Sequence, residues 1–157
     1  MRRYMNIVEN NGERFLFHGS KQAFDQFDVD KIQNGMLGWG VYLSSDLDMA
    51  EDYARPGGVV YRVRIPQDSR FLDIAYSMSH QRADIIERLK SADLFPENDK
   101  MSAGHFYSAL AKQLGSPRGA SELLASVGIT GIAEGAGSWG AVFVIFDPDL
   151  IEIVRKS

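Results

Sequence analysis

The sequence predicts an α+β fold, and three observations predict it. Strand-like runs of β-branched and aromatic residues occur before residue 66 and return after residue 129. Apolar residues at three- and four-residue spacing fill the stretch between them, as amphipathic helices require. Short connections rich in Gly, Pro, Asn and Asp join these segments without a linker. Strands at both ends with helices inserted in the middle are expected to form antiparallel or mixed sheets in one domain over residues 1–157.

Each element follows from local chemistry. Tyr4 to Val8 and Arg14 to Phe17 read as short strands, with Asn11-Gly12 as the hairpin signal because both residues tolerate positive φ. From Ser20 to Gln33 polar residues alternate with Phe24, Phe27, Val29 and Ile32, which predicts an irregular segment with its aromatic rings turned inward. Asn34-Gly35 and Gly38-Trp39-Gly40 are loop-like, and Val41 to Leu43 is a strand. Asp46 then caps a helix from Leu47 to Ala54, which Arg55-Pro56-Gly57-Gly58 terminates. In Val59 to Ile65, Val59, Tyr61, Val63 and Ile65 alternate with Val60, Arg62 and Arg64, the pattern of a half-buried strand. Phe71 to Ile74 is a shorter extended piece.

Helices are predicted over His80–Lys90, with Ala83, Ile86 and Leu89 on one face and Ile85 beside them, and over Ala103–Leu114, with Phe106, Leu110 and Leu114 inward. Gly115-Ser116-Pro117 ends the second, and a third spans Ala120–Val127. Ile129–Ala133, Ala141–Phe146 and Leu150–Val154 close the chain as strands, with Asp147-Pro148-Asp149 as a turn.

Composition narrows the function. A net charge of −4 and a pI near 5.3 argue against direct nucleic-acid binding through a broad phosphate-contacting surface. The chain has no cysteine, so disulfides, thiolate metal sites and cysteine nucleophiles are excluded. His80 and His105 lack ligand spacing, so no metal site is expected. No run of about 18 apolar residues is present, so no membrane span is expected. Asn6, Glu9 and Asn10 follow the basic Met1-Arg2-Arg3 in place of an apolar signal core, which points to a cytoplasmic protein.

The residues that carry chemistry cluster between Leu16 and Tyr53. Leu16-Phe17-His18-Gly19-Ser20 is an apolar strand ending in a histidine and a glycine, and Gly38-Trp39-Gly40-Val41-Tyr42-Leu43-Ser44 follows. The helix after it carries Tyr53, eleven residues beyond Tyr42. His18 can donate a hydrogen bond from its ring to a hydroxyl, Gly19 can expose its backbone to a flat amide, and two tyrosine rings can sandwich a planar cation.

Strand-His-Gly-Ser, then Gly-x-Gly-Val-Tyr, then a helix ending in Ala-x-x-Tyr, resembles the ADP-ribosyltransferase superfamily in its histidine–tyrosine branch. The style is that of small phage and polyvalent-protein members. The resemblance implies a split β-sheet fold with a cleft for NAD as substrate. It assigns His18 to the adenine-side ribose, Gly19 to the nicotinamide amide, Ser20 beside it, and Tyr42 and Tyr53 to the nicotinamide ring. Two positions depart from the pattern. Ala50 stands where polymerase-type members have a serine on the amide, leaving Ser44 or Ser45 to replace it, and Val142 stands where they have the catalytic glutamate.

Substitution at the ribose carbon passes through a cationic transition state that a carboxylate must stabilise. Glu134, beside the glycine-rich stretch Gly135 to Gly140, is the candidate acid, with Glu152 in reserve. The implied activity is mono-ADP-ribosylation of a macromolecular target, a host protein or ribonucleoprotein complex, with anti-defence or anti-CRISPR action as one setting. The alternatives are an NAD glycohydrolase and a non-catalytic inhibitor on a degenerate cleft.

Overall fold

The computed structural model describes residues 4–5, 7–9, 12–32, 34–135 and 141–157. Its main sheet has eight strands. In chain order they are β1 (Tyr4–Met5), β4 (Leu16–Ser20), β7 (Val41–Ser44), β8 (Val59–Pro66), β9 (Phe71–Asp73), β10 (Gly131–Glu134), β11 (Val142–Ile145) and β12 (Glu152–Lys156). Between them lie two small hairpins, β2 (Ile7–Glu9) with β3 (Gly12–Arg14) and β5 (Asn34–Gly35) with β6 (Gly38–Trp39). The spatial order is β1-β8-β4-β7-β11-β10-β9, and β12 also pairs with β8. All these pairings are antiparallel except β9 with β10, so the sheet is mixed as expected.

Among the described residues four α-helices accompany the sheet: α1 (Leu47–Ala54), α2 (Ala83–Ser91), α3 (Ala103–Leu114) and α4 (Pro117–Ser126). The Asp46 side chain accepts from the Asp48 N–H at 2.9 Å, and α1 has the predicted bounds. α4 starts earlier than expected. Pro117, expected with Gly115 and Ser116 to end α3, opens α4 at the first helical position, where its missing N–H costs no bond. Ser116 caps it by accepting from the Gly119 N–H. Leu114, expected inward, is 44% exposed, because the chain turns away at the left-handed Gly115 and leaves it uncovered. α2 is preceded by a 3-10 turn, Met78–His80, and buries Ile85 and Leu89 more deeply than Ile86. In the first hairpin Glu9 pairs with Gly12, so Gly12 is a strand residue and not a turn residue; Asn11 lies outside the described residues.

Register sorts the sheet into two faces, because directly opposed residues project to the same side. One face carries Phe17, Tyr42, Ser44, Val142, Val144, Ile132 and Glu134. Helices α2, α3 and α4 cover its β9–β10–β11 half in a core that includes Leu72, Ile85, Leu89, Leu124, Ile132 and Val144. The other face carries Leu16, Val41, Leu43, Tyr61, Val63, Phe143 and Ile145, and Phe24, Phe27 and Ile32 from the segment after β4 pack on it. The predicted inward turn of those aromatic rings is what the chain does.

A polar knot ties the second hairpin to the helices. The Tyr107 hydroxyl accepts from the Trp39 N–H at 3.0 Å and lies 2.6 Å from the Ser121 hydroxyl. Ser121, fully buried, donates to the Trp39 carbonyl at 2.7 Å. Trp39 is therefore a buried anchor, with the Arg118 guanidinium over its ring at 5.1 Å. Trp139 lies outside the described residues.

Candidate functional site

The sheet nearly comes apart between β4 and β7. A single register pair, Phe17 with Ser44, joins them, whereas β4 and β8 pair along five residues from Leu16 to Ser20. Beyond Phe17 the two strands diverge, and His18, Gly19 and Ser20 have register partners only on the β8 side. The backbone edge of β4 facing β7 is thus open at the glycine singled out in the sequence.

His18 spans this opening. Its Nδ1 lies 2.7 Å from the carbonyl oxygen of Tyr42. A carbonyl only accepts, so Nδ1 carries the proton. Burial pushes the ring below its ordinary pKa, more than the bond to Tyr42 raises it, so the neutral form dominates. Nε2 is then a lone-pair acceptor. The sequence suggested a histidine that donates to a hydroxyl; the free nitrogen is instead suited to receive one. The ring sits edge-on to Phe27, with centroids 5.0 Å apart, and against Phe24 and Tyr61. The Tyr61 hydroxyl holds that aromatic segment by accepting from the Phe24 N–H and donating to its carbonyl.

Gly19 is required by a neighbour. A Cβ there would lie 2.1 Å from the carbonyl oxygen of Ala50, so α1 rests directly on β4. Gly58 makes the same close contact with the Ala54 carbonyl. Helical spacing gives α1 a buried line of Ala50 and Ala54, a flank with Met49 and Tyr53, and an opposite flank with Leu47 and Glu51. The departure at Ala50 therefore has a packing reason, since a small residue lets the helix seat on the glycines. Neither replacement serine is idle. The Ser44 hydroxyl accepts from the Asp46 N–H at 2.9 Å, and the Ser45 hydroxyl donates to the Ala141 carbonyl at 3.3 Å.

The two tyrosines differ. Tyr53 is 64% exposed, with the Lys21 ammonium 5.9 Å from its ring centre and that ammonium also bonded to the Arg55 carbonyl. Tyr42 is half-buried. Its hydroxyl accepts from the Leu37 N–H at 3.0 Å and donates to the Gly38 carbonyl at 2.7 Å, and burial raises its pKa. A Cβ on Gly35 would meet the Tyr42 hydroxyl at 2.3 Å, so the ring supports the β5–β6 hairpin from beneath. Ser20 donates to the Gln22 carbonyl and shapes the turn after β4.

Glu134 ends β10 directly opposite Val142, which is itself opposite Ser44. These three side chains project to the same face, the one that α1 and Tyr53 overlie, about 4.8 Å apart from strand to strand. Glu134 is exposed, and its carboxylate makes no hydrogen bond or ion pair with any described residue. Glu152, the reserve acid, is on the same face but at the β8–β12 end of the sheet, where Arg64 holds it at 3.1 Å. The glycine-rich stretch after Glu134 lies outside the described residues from 136 to 140. No cluster of potential metal ligands occurs among the described residues, and no helix among them is long and apolar enough to cross a membrane.

Register thus puts Tyr42, Gly19 and Glu134 on one face of the sheet, the face on which α1 with its exposed Tyr53 packs, and puts the His18 ring on the other. Sequence reasoning missed Lys21 beside Tyr53 and the tautomer of His18, since both arise from contacts between distant segments.

Among known protein families, the model described as ADP-ribosyltransferase in polyvalent proteins matches residues 9–149. No curated protein and no solved structure matches the chain.

Proposed function

We propose that this chain, which belongs to the family of ADP-ribosyltransferases in polyvalent proteins, transfers a single ADP-ribose from NAD to a macromolecular target, with Glu134 as the acid that the pattern lacks at residue 142. The observation that carries the reading is the direct pairing of Glu134 with Val142. A carboxylate lost from β11 has a same-face substitute one strand away, within reach of a glutamate side chain. Its freedom from any described partner suits a group that must face a developing positive charge.

The dinucleotide lies across the β4–β7 split in this reading. Nicotinamide stacks on Tyr53 and abuts Tyr42, its amide meets the open backbone edge at Gly19 beside Ser20, and a ribose hydroxyl donates to Nε2 of His18 on the opposite face. The bond between ribose C1′ and the nicotinamide nitrogen breaks. Nicotinamide leaves with the electron pair, and an acceptor nucleophile attacks C1′ while Glu134 stabilises the cationic sugar and orients or deprotonates the acceptor. The acceptor belongs to a host protein or ribonucleoprotein complex.

Incubation with labelled NAD and host lysate tests this. Wild-type protein should label a discrete macromolecule, and Glu134→Gln should reduce the rate by about 100-fold or more. His18→Ala should weaken NAD binding as well as label transfer. Nicotinamide release without a labelled acceptor would identify water as the acceptor and make the protein a glycohydrolase. A second reading, an inhibitor with a degenerate cleft, is favoured by Val142 and by a Tyr42 hydroxyl already satisfied within its own hairpin. It predicts no transfer, no nicotinamide release and no NAD-dependent thermal shift.

A further inference from the structure

The flank of α1 away from Tyr53 overhangs a second pocket. Leu47 and Glu51 project over β8 and β12, and a cavity of 340 Å³ lies there, with Phe17, Val60, Arg62 and Arg155 as its other principal walls. That volume is at the small end of the range for ligand sites, about 300–1,000 Å³. None of the groups assigned to NAD lines it.

A β-bulge builds this pocket. On β12, Glu152 faces Arg64 and Ile153 faces Val63; the register then slips, so that Arg155 faces Arg62 and Lys156 faces Tyr61. Without the extra residue, Val154 would face Arg62, and Arg155 would project to the opposite side of the sheet beside Tyr61. The contacts of Lys156 with the Phe24 carbonyl and the Asp25 carboxylate account for its own side of the slip. They do not account for an arginine at 155, where any residue would keep the register.

The two cross-strand pairs contrast. Arg64 meets Glu152, an opposite charge, at 3.1 Å. Two residues further along, Arg62 meets Arg155, a like-charge pair that opposes folding. The Arg62 guanidinium lies 5.2 Å from the Phe15 ring, and neither it nor Arg155 forms an ion pair with a described residue. Glu51, the acid on the rim, is 3.5 Å from Arg55. Two cationic forks therefore flank a pocket whose apolar walls are Phe17, Leu47 and Val60 and whose other polar lining residues are Glu51 and Ser157.

We propose that this pocket binds the phosphate group of a small organic phosphate ester. Arg62 and Arg155 close on the phosphate, and Phe17, Leu47 and Val60 receive its apolar body. A phosphate dianion between two guanidinium groups converts their repulsion into two charge-assisted contacts, and its oxygens match the guanidinium fork. A carboxylate would neutralise only one of the two charges.

Calorimetric titration with phenyl phosphate, inorganic phosphate, benzoate and phenol, together with thermal unfolding, tests the assignment. Phenyl phosphate should bind more tightly than inorganic phosphate or benzoate, phenol should not bind, and His18→Ala should leave phenyl phosphate binding unchanged. Arg155→Glu pairs with Arg62, so it should raise the Tm of the free protein and weaken phenyl phosphate by about tenfold or more. Arg155→Ala, which adds no charge, should weaken it as well. Absence of saturable binding to wild type, or equal binding to the Arg155 variants, would overturn the site. Phenyl phosphate no tighter than inorganic phosphate would overturn the ester assignment.

Discussion

With its Nδ1 proton committed to the Tyr42 carbonyl and its ring among Phe24, Phe27 and Tyr61, His18 is a half-buried neutral base. Its pKa in the folded chain lies below the ordinary 6.5. Below pH 6.5 the unfolded chain therefore binds more protons at this residue than the folded chain does. The contribution of His18 to stability is fully present above 6.5 and is lost as pH falls toward the folded-state pKa. Thermal midpoints measured as a function of pH should fall below 6.5 for wild type and fall less steeply for His18→Gln, which cannot titrate. Identical slopes would mean that His18 does not carry the acid sensitivity. The same neutral ring leaves Nε2 as an acceptor, so under the proposed function the NAD affinity measured against pH should weaken along the same acid limb.

At the scale of the element, α1 is the part that turns a motif into a geometry. It reaches β4 because Gly19 and Gly58 lack side chains beneath Ala50 and Ala54, and that approach sets where Tyr53 stands. Gly19→Ala would bring a methyl group against a backbone carbonyl that cannot rotate away. The helix must shift, at a cost of about 1–3 kcal/mol. Equilibrium denaturation should show that loss, and label transfer from NAD should fall further than stability alone explains, since Tyr53 moves with the helix. A variant with normal stability and transfer would show that α1 need not sit so close. The bounds of α1, from its Asp46 cap to the Arg55-Pro56 stop, were legible in the sequence. The start of α4 was not, because Pro117 serves equally well as a sign that one helix has ended and that another has begun.

Over the whole molecule, one sheet separates two cores, and the β4–β7 split runs through that sheet. Leu124 belongs to the core under α2–α4, and Leu16 to the core on the opposite face. Each leucine-to-alanine change should cost about 2–5 kcal/mol. Because β7 and β11 contribute side chains to both cores, the two variants should lower the midpoint of one common transition. Two resolved transitions in calorimetry would mean that the halves unfold independently at the split.

The α+β order, the inward aromatic rings of Phe24 and Phe27, and the alternation of Val59 to Ile65 were determined by the sequence, because each follows from the spacing of residues close in the chain. The family resemblance was also legible there, in the order of His18, Gly19, Tyr42 and Tyr53 along the chain. Only the tertiary structure decided that Glu134 stands opposite Val142, that Glu152 is held by Arg64, that His18 keeps its proton on Nδ1, and that a bulge sets Arg155 beside Arg62. Each of these depends on the register between strands distant in sequence. A slip of one residue moves every side chain of a strand to the other face, and residue spacing within a single segment carries no record of which partner residue it will oppose.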